Sequence, residues 1–144
     1  MTTAIHQPGE QDLPVEISAA GPSFGEKIDA ILKGVEKGRV DALAGRLGLG
    51  KTETLEVIGM LPSSFSRTKG RLSRQASERV ILLEEVARVG EEAFVGEEGA
   101  FQEWFRNPNV LLGNQAPQDA CKFTVGIQEV QRILARIATA DFIA

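Results

Sequence analysis

The sequence predicts an all-α fold: an N-terminal helix-turn-helix bundle joined by a long helix to a small helical C-terminal domain. Three observations predict it. Apolar residues recur at helical spacing from Phe24 onward. No stretch alternates apolar and polar residues for long enough to make a strand. Glycines and prolines stand where helices are expected to start or stop, as at Gly34, Pro62 and Pro108.

Residues 1–22 contain Pro8, Gly9, Pro14, Gly21 and Pro22, show no period and read as a disordered tail, with VEIS at most a short extended piece. His6 in that tail reads as solvated. Ser23 then caps FGEKIDAILKG, whose Phe24, Ile28, Ile31 and Leu32 share one face and which Gly34 closes. VDALAGRLGLG follows, with Val40, Leu43, Ala44 and Leu47 in helical spacing, and KTETLEVIGM repeats the pattern with Leu55 and Ile58. A short helix begins at Pro62, where the missing N–H is harmless. LSRQASERVILLEEVARVGEEAF reads as one long amphipathic helix running to about Phe94, with Ser73 or Ser77 as its cap. EGAFQEWFRNPN makes another short helix, stopped at Asn107–Pro108. VLLGNQAP is a turn, and PQDACKF is a short helix or a single turn. Thr124 caps the last helix, with Val125, Val130, Ile133, Leu134 and Ile137 as its apolar stripe.

The chain has 144 residues, 42% of them apolar, which suffices for the core of one ordinary domain or two small ones. No apolar run approaches the roughly 18 residues of a membrane span, and no basic segment followed by an apolar block marks a secretory signal. Cys121 stands alone, which excludes an internal disulfide and fits a reducing compartment. One His and one Cys cannot build a zinc site by themselves. A soluble cytoplasmic protein without metal or cofactor is therefore expected. The net charge of −4 is unevenly distributed. Residues 37–79 hold nine cations against four acids, while residues 1–36 and 80–144 are both acidic, so the middle block is the part suited to a polyanion. A basic cluster on a solvated face would give the same distribution.

Within that block, IGMLPSSFSRTKGRLS carries the most specific pattern. A helix from Lys51 with Leu55 and Ile58 inward, a tight turn at Gly59, and a second helix from Pro62 pinned by Phe65 make a helix-turn-helix. Thr68 is a second inward candidate. Ser63, Ser64, Ser66, Arg67 and Lys69 then point outward as a recognition surface, where hydroxyls reach phosphates or base edges and Arg67 suits a guanine. Lys51, Thr52 and Thr54 on the preceding helix, and Arg71 and Arg74 beyond, are candidates for backbone phosphates. The competing reading is a helical hairpin that binds nothing.

An enzyme is not expected. His6 and Cys121 are 115 positions apart. The carboxylate pairs Glu84–Glu85, Glu91–Glu92 and Glu97–Glu98 are sequential, so they diverge around a helix or lie in a loop. GRLGLGKT from Gly45 to Thr52 is a literal phosphate-loop match. It lacks the preceding strand and the surrounding parallel sheet that such a loop requires.

The C-terminal half is the most distinctive. AFVGEEGAFQEWFRNPNVLLGNQAP followed by FTVGIQEVQRILARI resembles the C-terminal domain of the Xre/MbcA/ParS antitoxin family. The matching residues are Phe94, Gly96, Ala100, Trp104, Pro108–Asn109, Leu112–Gly113 and Pro117, then Thr124, Gly126, Val130, Leu134 and Ile137. Upstream, TKGRLSRQASERVILLEEV looks like that family's junction into its long helix. The likeness spans residues 35–139 or so; QDACKF after Pro117 and the final ATADFIA depart from it.

The resemblance implies an antitoxin of a type II toxin–antitoxin module. Its partner would be a RES-domain toxin that degrades NAD, bound so as to hinder access to the toxin's active site. It also implies a homodimer that represses the shared operon by placing two recognition helices on one palindromic operator. The expected division is a tail over 1–22, the helix-turn-helix domain over 23–75 and the toxin-binding domain over 76–144. Trp104 is a candidate toxin anchor, or else the core pin of its domain. Arg132 and Arg136, an i, i+4 pair off the apolar stripe, are candidates for gripping acidic groups, or else a solvated face. Phe142 and Ile143 at the end are candidates for docking in a toxin cleft, or else fray. The competing function is a stand-alone helix-turn-helix regulator with no toxin.

Overall fold

Ser23 starts the first helix as expected: its hydroxyl accepts from the Glu26 N–H, and the Glu26 carboxylate accepts from the Ser23 N–H at 2.8 Å. The structure, a computed structural model, describes residues 21–143, and the side chains of residues 21–140. The tail expected over 1–22 lies outside the described residues, apart from Gly21 and Pro22. Eight α-helices follow among the described residues, which contain no strand: α1 (Phe24–Lys33), α2 (Arg39–Leu47), α3 (Lys51–Ile58), α4 (Pro62–Arg67), α5 (Arg74–Ala93), α6 (Ala100–Arg106), α7 (Pro117–Ala120) and α8 (Thr124–Ile143). None is long and apolar enough to cross a membrane. The fold is all-α.

Helix α5 is the spine. Its 20 residues make a rod about 30 Å long, with α1 and α2 packed along it and α8 making its most extensive contact. Buried side chains of α2 to α8, from Val40 and Leu47 through Phe65 and Val80 to Phe105 and Leu134, form one cluster, against which Ala30 and Ile31 of α1 pack. Arg39 pairs with Glu84 and Arg46 with Glu91. The partners are offset by one constant number of residues, so α2 and α5 run side by side in the same direction, with the two pairs about two turns apart. Glu85 meets Lys27 and Arg88, and Glu92 meets Arg88. Within each sequential pair on α5 the two carboxylates thus do diverge: Glu84 to Arg39 and Glu85 to Lys27 and Arg88, Glu91 to Arg46 and Glu92 to Arg88.

Three expectations shift on contact with the tertiary structure. On α1, Phe24, Ile28 and Leu32 are exposed; α1 meets the spine through Lys27, Ala30 and Ile31, one side of the expected stripe. On α8, Val125 is 74% exposed and Ile127 is buried in its place. Val125 lies about half a turn around the helix from Leu134, whereas Ile127 falls within about 20° of it. Ser73 is the cap of α5, accepting from the Ala76 N–H. Ser77 is fully buried and does something else: its hydroxyl accepts from the Val35 N–H at 2.8 Å and donates to the Leu72 carbonyl. It satisfies two backbone groups where the α1–α2 linker and the α4–α5 linker enter the core.

Two glycines set packing distances. A Cβ at Gly90, in the last turn of α5, would sit 2.2 Å from the Phe101 ring, and one at Gly126 would sit 1.8 Å from the Ala120 carbonyl oxygen. The first lets α6 lie against the spine, and the second lets α7 abut α8.

Candidate nucleic-acid and toxin interfaces

Helix α3 buries Leu55, Val57 and Ile58, and its Thr54 hydroxyl is turned back to the Gly50 carbonyl, so Thr54 is buried and faces away from solvent. Gly59 ends the helix at φ +88°, where a Cβ would be strained, and its N–H returns to the Leu55 and Glu56 carbonyls. Pro62 opens α4, and Phe65 is the residue α4 buries. Thr68 is half-buried and closes α4 by donating to the Ser64 carbonyl. The geometry is a helix-turn-helix with a six-residue second helix.

Ser63, Ser66, Arg67 and Lys69 are exposed around α4, and Ser64 is half-buried. Lys51 and Thr52 are exposed at the start of α3. Phe65 does more than pin α4. The Lys51 ammonium lies 4.7 Å from its ring centroid and the Lys37 ammonium 4.6 Å from it. Lys37 also donates to the Thr68 carbonyl, and Lys51 lies 3.1 Å from an Asp41 oxygen. These groups border a shallow opening of about 500 Å³ between α2, α3 and α4. Two ammonium groups near one ring repel each other, and the Asp41 carboxylate offsets part of that charge at Lys51. Lys37 was not assignable from the sequence, because it lies on the linker before α2 and only the fold brings it to α4.

Arg71 stands apart from that surface. It donates to the Gly34 carbonyl at 2.7 Å and reaches Glu36, fastening the α1–α2 linker. Arg74 is exposed at the start of α5.

On the C-terminal side, Trp104 is half-buried and packs against Phe94 and Phe101, with centroids 6.0 and 6.5 Å away, while Phe105 behind it is fully buried. Trp104 therefore belongs to an aromatic cluster and keeps one edge in solvent. Arg132 and Arg136 are exposed on α8, with Arg132 near Glu129. The α8 backbone continues to Ile143, but the side chains of Phe142 and Ile143 lie outside the described residues.

The two sides meet at Arg79. One guanidinium nitrogen donates to the Val57 carbonyl in α3 at 2.9 Å and to the Cys121 and Lys122 carbonyls after α7 at 3.3 and 3.0 Å. Charge-assisted bonds to carbonyls at two helix ends hold α3 and the α7–α8 junction in register. Cys121 beside it is buried, and burial pushes its thiol up to about 12 against the lowering effect of Arg79, so it stays neutral at physiological pH. The phosphate-loop spelling spans the end of one helix and the start of the next: Gly45 lies inside α2 and Lys51 begins α3, with no strand before them among the described residues.

Two family comparisons match successive parts of the chain. The profile of the antitoxin Xre-like helix-turn-helix domain matches residues 26–84, and that of the antitoxin Xre/MbcA/ParS C-terminal toxin-binding domain matches residues 90–139. A protein named Antitoxin Xre from Yersinia enterocolitica (serotype O:8 / biotype 1B, strain NCTC 13174 / 8081) is 25% identical over 118 residues, covering 80% of each chain. Carrying both an Xre-like helix-turn-helix domain and the toxin-binding domain, this chain belongs to the Xre/MbcA/ParS antitoxin family as an Xre-type antitoxin of a toxin–antitoxin system.

Proposed function

We propose that this antitoxin neutralises a RES-domain, NAD-degrading toxin in the cytoplasm and represses their shared operon through α4. The observation that carries the proposal is the joining of the two faces through one shared core. A hydroxyl- and cation-bearing helix is pinned by Phe65, and Arg79 bonds tie the helix before it to the toxin-binding half. The resemblance of residues 94–137 to antitoxins whose usual partner is a RES-domain toxin supports the choice of target. No catalytic step is assigned to the antitoxin itself: it acts by occupying the toxin so that substrate cannot enter.

Repression rests on the exposed Ser63, Ser66, Arg67 and Lys69 and on the Lys37–Phe65–Lys51 group. A six-residue recognition helix reaches few base pairs. A homodimer doubles that reach and matches a two-fold operator. The C-terminal end of α8, carrying Phe142 and Ile143, is proposed to reach into the toxin cleft beside Arg132 and Arg136.

Co-expression with the adjacent gene tests the reading. Growth arrest by the neighbour alone, rescued by this chain, is the expected result, together with a shifted band on the upstream DNA. A harmless neighbour with a shifted band would leave a stand-alone regulator instead. Deleting Ala140–Ala144 is expected to weaken rescue; undiminished rescue would remove the tail from the toxin contact.

A further inference from the structure

Among the described residues, Val110 and Leu111 are the sequence-adjacent pair of large apolar side chains that are both exposed, at 78% and 59%. They sit on the 3-10 turn Val110–Leu112 that follows α6. The turn is stiff. Asn109 and Gln115 form an antiparallel bridge, with the Asn109 N–H donating to the Gln115 carbonyl at 3.0 Å. The Asn109 carbonyl accepts from the Leu112 and Asn114 N–H groups, and its side-chain oxygen accepts from the Leu111 N–H at 2.8 Å. Gly113 and Asn114 both take left-handed backbone, at φ 66° and 68°, and Leu112 packs against the core beneath. A backbone fixed this thoroughly has no folding reason to point two aliphatic side chains at water.

The surroundings say what kind of surface covers them. Asn107 to Gln118 is a run of twelve residues without a charge, in a chain of which 25% is charged. Cores of protein interfaces are depleted in charge and surrounded by a polar rim, and Arg106 and Asp119 stand at the two ends of this run. The run also lies wholly inside residues 90–139, the matched toxin-binding domain.

We propose that Val110 and Leu111 form a preorganised apolar knuckle that inserts into an uncharged pocket on the toxin and anchors the complex. The inference rests on the toxin–antitoxin reading and adds a contact that Trp104 and α8 do not supply. Because the loop is already ordered, little conformational entropy is lost when it docks. An apolar pair buried at an interface centre then acts as a hot spot.

The test is a binding measurement between the full-length chain and the adjacent gene's product, with Val110→Asp/Leu111→Asp compared with the unmodified chain. The double substitution is expected to weaken toxin binding by about 30-fold or more and to abolish growth rescue. The thermal melt and the upstream-DNA shift should stay unchanged. Leu111→Ser alone, too mild to disturb a turn held by backbone bonds, is expected to weaken binding in the same direction. Val95→Asp, on another exposed loop of the same half, is expected to bind normally. Equal toxin binding by the double variant and the unmodified chain would overturn the knuckle while leaving the antitoxin reading standing. Failure of the unmodified chain to bind its neighbour would remove both.

Discussion

Helix α4 has six residues and buries one side chain, Phe65, whereas the α8 stretch from Ile127 to Leu134 buries Ile127, Val130, Ile133 and Leu134 against the spine. The second helix of the helix-turn-helix, proposed to face DNA, is an appendage with one pin; the main helix of the toxin-binding half is part of the wall. The difference follows from what each partner demands. A recognition helix keeps most of its surface for phosphates and base edges, so little is left for packing. A toxin-binding half works from exposed loops and helix faces, so its other faces can carry the core. The two halves should therefore fail in different ways.

Phe105→Ala is expected to have the largest effect, and it falls on both halves. Phe105 is fully buried with its ring centroid 5.6 Å from that of Phe101, and its truncation is expected to lose about 3–5 kcal/mol of stability. Toxin capture and DNA binding should fall together, as read by chemical denaturation and both binding assays. Phe65→Ala removes a side chain of the same size but should act locally. Undocking α4 is expected to abolish the DNA shift while growth rescue persists. If Phe65→Ala also abolished rescue, the appendage picture would be wrong.

A smaller effect sharpens the DNA side. Arg67→Ala is expected to cost about 1–3 kcal/mol of operator affinity and to relax sequence preference, with no change in toxin binding. Unchanged operator affinity would place the recognition surface elsewhere. If the Lys37 charge meets phosphate as proposed, Lys37→Gln should weaken binding evenly across DNA sequences and flatten the salt dependence by about one unit of slope.

The smallest expected effect lies on the spine. Burial raises the Glu85 carboxyl, but the Arg88 hydrogen bond and the charges of Arg88 and Lys27 outweigh it and leave it below its ordinary value of 4.5. A carboxyl lowered in the folded state stabilises the fold above its unfolded value. That stability disappears as pH falls through the folded value. Glu85→Gln should therefore lower the melting temperature slightly at neutral pH and make it less sensitive to acid below pH 4.5, the ordinary carboxyl value.

Much of this was legible in the sequence wherever cause and effect lie within one turn. Ser23, Ser73 and Pro62 start helices by local bonding rules, and Gly59 marks a turn that only left-handed backbone closes. The diverging carboxylates of α5 follow from helical geometry alone. What was not legible depends on elements meeting. Ser77 looked like a cap because its role is set by Val35, 42 positions away. Gly90 gave no signal because its constraint is the Phe101 ring. Lys37 reaches Phe65 only through the fold. Val110 and Leu111 read as an ordinary turn, since an exposed aliphatic pair and a buried one are spelled alike.

The central claim is that this chain silences a neighbour that consumes NAD. Cellular NAD measured after inducing the adjacent gene, with and without this chain, tests it most directly. The account predicts that NAD collapses when the neighbour is expressed alone and stays at the uninduced level when both are expressed. NAD that collapses equally in both cultures, or in neither, would contradict it.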